Sequence, residues 1–564
     1  MSTIAIKDDL ITLEYNLYDL PTAQHKAGLA GLLLIINSLE SRKIQPAPEV
    51  EITATTARII FSKESLQSVL DDLYDSVWVE TKVKQKWKKK PKRIEEKEVV
   101  IDGKKKIEKR FVYDVVQPKG AFLQSYYSDD DGVRLKLWRD MLWATLRGVP
   151  TTRNVYKQRA NGKNSSETAQ IWQFWKKTHT KLKKGAFLSQ SLSSSIFIGA
   201  EAMNPEKVAF KGTHPDTFLL YFWPLASLIF VPRSLSIKRT DDQIKIERKE
   251  SGYVLAVPEP SDLEAFVEDI VDVLKSMDTT QLGFRPRNAL IDLFEESALE
   301  SLYYFTRKKF DRTGQITFSL HAIEIYHLQK QGNRIRQLAV DRVKPDFNII
   351  NDYETMRDSY KNPFYKKIYL KNLLDGTPWH RGADAVFYHH PAPIFIYSVK
   401  TPKRMRFFGN DVKQKFNAIA QTLKIKKGGM LMSAKDHEDQ LSLRIHRLIQ
   451  TYIRYRTEDK SGKKYDDFKN NKNEKGYVID PEAYRETLEK VCSDAFLAMR
   501  GRRDHDFVEY FTGTICSVPQ FLPETEYLTV AKLLMNDWQK VKTLSMLAIS
   551  ASSYLYVPST QKKE

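Results

Sequence analysis

The chain has 564 residues and carries 90 Lys and Arg against 71 Asp and Glu, a formal net charge of +19. That length exceeds what one hydrophobic core serves and implies about three or four domains, while 41% hydrophobic and 11% aromatic residues exclude global disorder. A cation surplus of this size points to a polyanionic partner, because neutralising phosphates releases condensed counterions; a basic solubilising surface is the competing reading.

In chain order, the opening MSTIAIKDDLITLEYNLYDL has early acidic residues and no basic region followed by an apolar stretch, so it reads as folded chain and not as a secretory signal. Leu13–Leu17 alternates as a strand, and Thr22–Leu39 has Leu29, Leu32, Leu33 and Ile36 on one face of a helix. Glu51–Phe61 alternates again as one strand, and Ser65–Val77 predicts an amphipathic helix, an order that suits a small α/β unit.

Lys82–Arg93, KVKQKWKKKPKR, holds eight basic residues in twelve with Trp87 in the middle. Beyond it Asp102-Gly103 separates two strand-like runs and suits a tight hairpin turn, so a basic finger is expected. Its Lys86, Lys88, Lys89, Lys90, Lys92 and Arg93 form a candidate phosphate clamp, with Trp87 for stacking on a base; a merely solvated charge run is the alternative.

Leu135–Arg147 carries Leu135, Trp138, Leu142 and Leu146 at helical spacing. The polar segment after it, PTTRNVYKQRANGKNSSET (150–168), is expected to be a loop with Gly162 at its tip. Reading a short DNA motif needs a rigid loop that reaches base edges, flanked by cations on phosphates. Gln158, Asn161 and Asn164 suit the first role and Arg153, Lys157, Arg159 and Lys163 the second; an ordinary solvated loop competes with this reading. A helix resumes at Ile171–Leu182.

The most apolar run, Thr217–Val231, is broken by Pro224 and is too short to span a bilayer, so it is assigned to buried core and no membrane partner is expected. Leu235–Lys249 and Tyr253–Val257 read as paired strands, Asp262 caps a helix reaching about Lys275, and Ala289–Lys308 reads as helix. The segment PIFIYSVK (393–400) is strand-like, and the basic TPKRMRFFGND (401–411) marks a boundary. From Asp411 apolar residues recur at helical intervals, with further helices expected over Pro481–Arg500, Asp504–Thr512 and Thr525–Ser553. In this helical region Arg444, Arg447, Arg454 and Arg456 lie within a few turns and suit nucleic-acid backbone, with surface salt bridging as the alternative.

The fold class expected is therefore α+β, in three parts: residues 1–150 an α/β unit with the basic finger, 151–404 a mixed domain with the candidate motif-reading loop, and 405–564 a helical bundle. Catalytic signatures are absent from the sequence. No GxxxxGK[ST] loop occurs, and Gly428-Gly429 and Gly28–Gly31 lack the phosphate-holding Lys. His505-Asp506 has only His437 and His446 near it in sequence, too few for a metal phosphohydrolase site, and His389-His390 precedes Pro391 in a solvent-facing context. Ser398 stands where a restriction-type magnesium site, with Asp384 and Lys400, would need a carboxylate. Asp71-Asp72 and Asp129–Asp131 read as helix surface and loop. Cys492 and Cys516 alone offer neither a disulfide framework nor a four-cysteine zinc site; the cytoplasm is the expected compartment, and no metal, cofactor or catalytic residue is assigned.

The segment LEYNLYDLPTAQHKAGLAGLLLIINSL, Leu13–Leu39, resembles the opening signature of a CRISPR-associated Cascade large-subunit family, in the I-B or MYXAN branch, with the LPTAQHKAGL turn, Leu20–Leu29, ahead of an apolar helix. Beyond residue 40 the resemblance is one of length and helical C-terminus. It implies a non-enzymatic large subunit of a crRNA-guided surveillance complex in antiviral defence. Such a subunit binds crRNA and double-stranded target DNA with its displaced strand, recognises the protospacer-adjacent motif and promotes R-loop formation. Its partners would be the backbone, crRNA-foot-binding and small subunits, together with a recruited nuclease-helicase. The resemblance also implies a small-subunit-like C-terminal region, for which Met405, Met430 and Met432 are candidate internal starts. The alternatives are a metal-dependent nuclease and a free-standing RNA-binding structural protein.

Overall fold

A computed structural model describes the chain except for Met1 and residues 102–103, 128–131, 185–187, 201–209, 240–243, 278–279, 333, 358, 361, 390–408, 427–432, 473–477, 520–522 and 554–564. The described residues form two compact units, one of 1–234 with 250–346 and a second of 235–249 with 347–564. Helices and sheets share the first unit, and helices dominate the second, giving an α+β chain with a helical C-terminal region.

The first unit opens with β1 (Thr3–Lys7) and β2 (Leu10–Asn16), then α1 (Ala23–Ser41), β3 (Glu49–Ile52), β4 (Thr56–Phe61) and α2 (Lys63–Leu73). The strands form one antiparallel sheet ordered β1-β2-β4-β3. The single strand expected over Glu51–Phe61 is thus a hairpin. The Thr53 hydroxyl accepts from the amides of Thr55 and Thr56, a local side-chain bond that closes a turn no glycine announces. Helix α2 ends at Leu73, and the residues after it start a strand.

Helix α1 is capped by Thr22, whose hydroxyl accepts from His25 N–H, and it is buried around nearly its whole circumference, beyond the single apolar face expected. Two glycines make that possible: a Cβ on Gly28 would sit 2.3 Å from the Leu219 carbonyl oxygen, and one on Gly31 would sit 2.1 Å from that of Phe222. Within the LPTAQHKAGL segment Gln24 is buried as well. Its amide donates to the Ile198 carbonyl and the Tyr326 hydroxyl and accepts from Ile198 N–H, so a polar residue that reads as surface is a tie at the centre of the unit.

Next come β5 (Ser76–Val83), β6 (Arg93–Ile101) and β7 (Lys104–Pro118), a separate antiparallel sheet ordered β5-β7-β6. Asp102-Gly103, the expected turn, lies outside the described residues, but β6 and β7 pair in register up to Ile101 and Lys104 on either side of it. Helices α3 (Ala121–Gln124), α4 (Val133–Ala144), α5 (Asn154–Ala160) and α6 (Glu167–Leu182) follow. The stretch 150–168, expected as a loop, is mostly helical: a 3-10 turn over Pro150–Arg153, then α5, then a short turn at Gly162 with φ +77°. Only that last turn matches the expected loop.

After the short strands β8 (Ser189–Ser191) and β9 (Lys211–Thr213) come α7 (His214–Leu219) and α8 (Trp223–Ala226), then β10 (Leu228–Arg239), β11 (Ile244–Glu250), β12 (Tyr253–Pro260) and α9 (Leu263–Ser276). The apolar run 217–231 is buried as expected, and Asp262 caps α9 by accepting from Ala265 N–H at 3.0 Å. The described residues of Leu235–Lys249 belong to two strands, the end of β10 and most of β11, and not to one. Strands β13 (Gln281–Leu282), β14 (Arg285–Pro286) and β15 (Leu290–Ile291) precede α10 (Glu296–Thr313), which starts later than Ala289 because Leu290–Ile291 pair with β10. Then β16 (Leu320–Gln331) and β17 (Arg334–Val343), absent from the sequence reading, complete a sheet ordered β11-β10-β12-β16-β17.

The second unit contains α11 (Phe347–Arg357), α12 (Pro363–Leu374), α13 (Ala383–His389), α14 (Gly409–Lys426), α15 (Ala434–Ser461), α16 (Glu482–Gly501), α17 (Asp504–Tyr510), α18 (Glu524–Asn536) and α19 (Trp538–Ser552). Its core is built by Ile445, Leu448, Ile449, Phe496, Leu544 and Leu547. The helix expected over Thr525–Ser553 is two, because Asp537 leaves helical geometry (φ −149°, ψ 70°) and its carboxylate caps α19 on Lys540 N–H. The strand 393–400, the boundary stretch 401–408 and Met405, Met430 and Met432 lie outside the described residues. No helix among the described residues is long and apolar enough to cross a membrane.

Candidate nucleic-acid interface

Both basic groups read from the N-terminal half sit on the β5-β7-β6 sheet. The Ser76 hydroxyl of β5 donates to the Tyr156 carbonyl of α5, and the Trp78 indole N–H donates to the Asn161 side-chain oxygen at 2.9 Å. Residues separated by some eighty positions are thereby held on one strand. Trp78 was not among the expected site residues. It is 41% exposed, and its signal was the alternation of Ser76–Val83, which the preceding helical pattern obscured.

One face of this sheet is a ladder of ion pairs. Arg93 meets Glu80 with two hydrogen bonds, at 2.7 and 2.6 Å, and also contacts Glu95. Lys92 bridges Glu80 at 3.0 Å and Asp114 at 3.1 Å, while Lys82 reaches Glu95 and Lys84 reaches Glu108. The Arg93 and Lys92 hydrogen bonds hold the Glu80 carboxyl down at about 2, and Glu80 in return raises the Lys92 ammonium. The expected clamp is therefore divided. Lys92 and Arg93 are committed to cross-strand carboxylates, a use of charge that a linear reading cannot see because the partners lie on neighbouring strands.

Lys86, Lys88, Lys89 and Lys90 occupy the connection between β5 and β6, are exposed, and make no ion pair among the described residues. Trp87 stands among them, 41% exposed. One face of its indole lies on the buried Tyr113 ring, with centroids 4.4 Å apart and planes at 20°, and its backbone N–H donates to the Tyr113 hydroxyl at 2.9 Å. The result is a fixed aromatic plate whose neighbours in the chain are exposed lysines, which suits base stacking with phosphate neutralisation.

The second group is divided in the same way. Arg153 donates to the carbonyls of Arg147 and Trp143 and lies over the Trp143 ring, 4.9 Å from its centroid, and burial lowers its guanidinium pKa. Arg159 donates to the carbonyls of Asp71 and Lys163 and stands 3.4 Å from the Asp71 carboxylate. Both hold the turn together instead of facing outward. Gln158 accepts from the Ser166 hydroxyl and Asn161 from Trp78, whereas Lys157, Asn161, Lys163 and Asn164 are exposed.

The four arginines of α15 lie in the second unit. Arg444 and Arg447 stand 3.9 and 3.7 Å from Glu526, Arg454 pairs with Glu458 and Asp466, and Arg456 lies over the Tyr452 ring. The surroundings of the first three favour surface ion pairing, worth little in stability. Among the described residues no group of three or more His, Cys, Asp or Glu is placed to hold a metal ion. His505 is 86% exposed beside Glu509, and His446 stacks on Phe416 at 4.1 Å. Asp72 is buried and paired with Arg42; Asp129–Asp131, His390, Ser398, Lys400 and Gly428-Gly429 lie outside the described residues.

Residues 47–315 match the model of the Type I-B CRISPR Cas8b N-terminal domain, and residues 320–552 match that of the Type I-B CRISPR Cas8b C-terminal domain. The chain belongs to the type I-B CRISPR Cas8b family. It is a large subunit of a type I-B CRISPR system. No curated protein matches it. Both basic groups on the β5-β7-β6 sheet fall within the Cas8b N-terminal match, while the Leu20–Leu29 segment that carried the resemblance lies ahead of it. The C-terminal match begins at β16, before the helices of the second unit start at Phe347.

Proposed function

We propose that this large subunit acts without catalysis inside a crRNA-guided Cascade complex, where it binds double-stranded target DNA, recognises the protospacer-adjacent motif, promotes R-loop formation and recruits the nuclease-helicase. The observation that carries the reading is the Trp87 plate on Tyr113, flanked in the chain by the exposed Lys86, Lys88, Lys89 and Lys90. Such a group binds sugar-phosphate backbone and stacks on any base, which positions a duplex without reading it. Sequence discrimination then falls to the exposed turn at Lys157, Asn161, Lys163 and Asn164, seated on the same sheet through Trp78. Asn can satisfy the paired donor and acceptor of adenine in the major groove, and guide pairing reads the rest of the target.

In this reading Lys92, Arg93, Arg153 and Arg159 shape the interface and do not touch DNA. The backbone, crRNA-foot-binding and small subunits supply the rest of the complex. The helical region resembles a small subunit, and Met405, Met430 or Met432 starts a separate product of it.

The test is a gel shift with the complex purified from its genomic neighbours, on duplexes with and without the adjacent motif. Motif-dependent binding without cleavage is expected, weakened by alanine at Lys86, Lys88, Lys89 and Lys90 together. Cleavage by the lone chain, or motif-independent binding untouched by those alanines, overturns the reading.

A further inference from the structure

The helical unit contains a cavity of about 390 Å³ lined by Asp384 and Tyr388 of α13, Arg503 and Asp504 at the start of α17, and Trp538 and Lys542 of α19. Its size lies within the roughly 300–1,000 Å³ of small-molecule sites. Lys542 is one of the lining residues. It is 3% exposed, its ammonium donates to the carbonyls of Arg500 and Arg502, and it stands 5.2 Å from the Tyr388 ring centroid and 6.0 Å from that of Trp538. Burial, helped by the Arg503 charge, brings its pKa down to about 8.

No carboxylate among the described residues forms an ion pair with Lys542, and its charge is met by those two carbonyls and the two rings. Arg503, by contrast, is exposed at the rim and makes no ion pair among the described residues. Next to it Asp504 holds a left-handed backbone, φ +43°, a conformation that costs a non-glycine residue of order 1 kcal/mol or more and tends to persist where a site requires it.

The rim therefore offers a guanidinium for an anion, the walls offer two aromatic faces, and Gln539, Thr543 and the Asp384 carboxylate add hydrogen-bonding groups. An anion alone would be served by the cations without the rings. An apolar ligand would not want the cations.

We infer that this cavity binds a single nucleotide, with the base against Tyr388 and Trp538 and the phosphate on Arg503. The nucleotide comes either free in solution or as one unstacked residue of a strand; the chemistry is shared. The site lies in a different unit from Trp87 and stands whether or not that surface binds DNA.

The test uses the full chain and two fluorescent probes read by anisotropy, a labelled adenosine monophosphate and a labelled single-stranded oligonucleotide. Arg503→Ala and Tyr388→Ala are mild surface variants, and thermal melting verifies that both fold. Loss of one base-stacking contact weakens binding roughly fivefold or more. Saturable binding of the monophosphate, reduced in both variants, establishes a free-nucleotide site. Binding of the oligonucleotide alone, reduced in both, establishes a strand site. Binding of neither probe, binding equal in all three proteins, or complete displacement by equimolar inorganic phosphate overturns the inference.

Discussion

Trp87 and Tyr113 are stacked at 4.4 Å, and the Trp87 amide donates to the Tyr113 hydroxyl. One ring is 41% exposed and the other 1%, so the two have different jobs. Trp87→Ala is expected to weaken nucleic-acid binding by about 1–3 kcal/mol with the melting temperature nearly unchanged. Tyr113→Ala removes a buried ring and is expected to cost about 3–5 kcal/mol of stability. Paired binding and urea-unfolding measurements separate them; equal stability losses would remove the distinction.

The lysines of the β5–β6 connection should differ from Lys92 and Arg93 in their salt dependence. Each phosphate contact contributes about 0.9 to the slope of log K against log salt for duplex DNA. Replacing Lys86, Lys88, Lys89 and Lys90 by alanine is expected to flatten that slope by two or more on this scale, whereas Lys92→Ala leaves it nearly unaltered, since its charge already faces Glu80 and Asp114. Titration across a range of potassium chloride concentrations gives both slopes.

Gly28→Ala and Gly31→Ala each drive a methyl group into a backbone carbonyl, of Leu219 and Phe222 respectively. Backbone cannot step aside as a side chain can, so a loss of about 3 kcal/mol or more is expected from either substitution. Gly162→Ala, where nothing lies within 4 Å, carries only the cost of its positive φ and serves as the control. Urea midpoints of the three variants rank them.

Stability should fall on mild acidification. His25 is buried beside Thr22, and His446 is packed on Phe416; desolvation lowers both imidazoles to about 4. The unfolded chain binds those protons at its ordinary value near 6.5, so stability is fully present above about 6.5 and is lost as pH falls towards 4. Between pH 7 and pH 5 each histidine should cost about 2 kcal/mol. The unfolding midpoint at the two values measures the loss, and His446→Phe should reduce it; an unchanged pH dependence in that variant would count against the assignment.

Local signals were legible wherever the deciding interaction lies within a few residues. Asp262 announces the cap of α9, the apolar periodicity beyond Asp411 marks the helical unit, and the Lys-rich run around Trp87 stands out by density alone. The turn at Thr53 and the break at Asp537 were missed because each depends on one side-chain bond that resembles ordinary polar sequence. Strand β16 was missed because it is held by pairing with β12, more than fifty residues earlier, and β17 because it in turn pairs with β16.

By itself, then, the amino-acid order determined the α+β class, the basic character, the buried run 217–231 and the positions of two cationic segments, all properties carried by composition or short spacing. Tertiary structure decided which cations remain available. Lys92, Arg93, Arg153 and Arg159 look no different in sequence from Lys86, Lys88, Lys89 and Lys90, but folding brings Glu80, Asp114, Glu95 and Asp71, or backbone carbonyls, within hydrogen-bonding distance of the first four alone. The physical reason is that charge is a local property of a residue, while its availability depends on neighbours that only the completed sheet supplies.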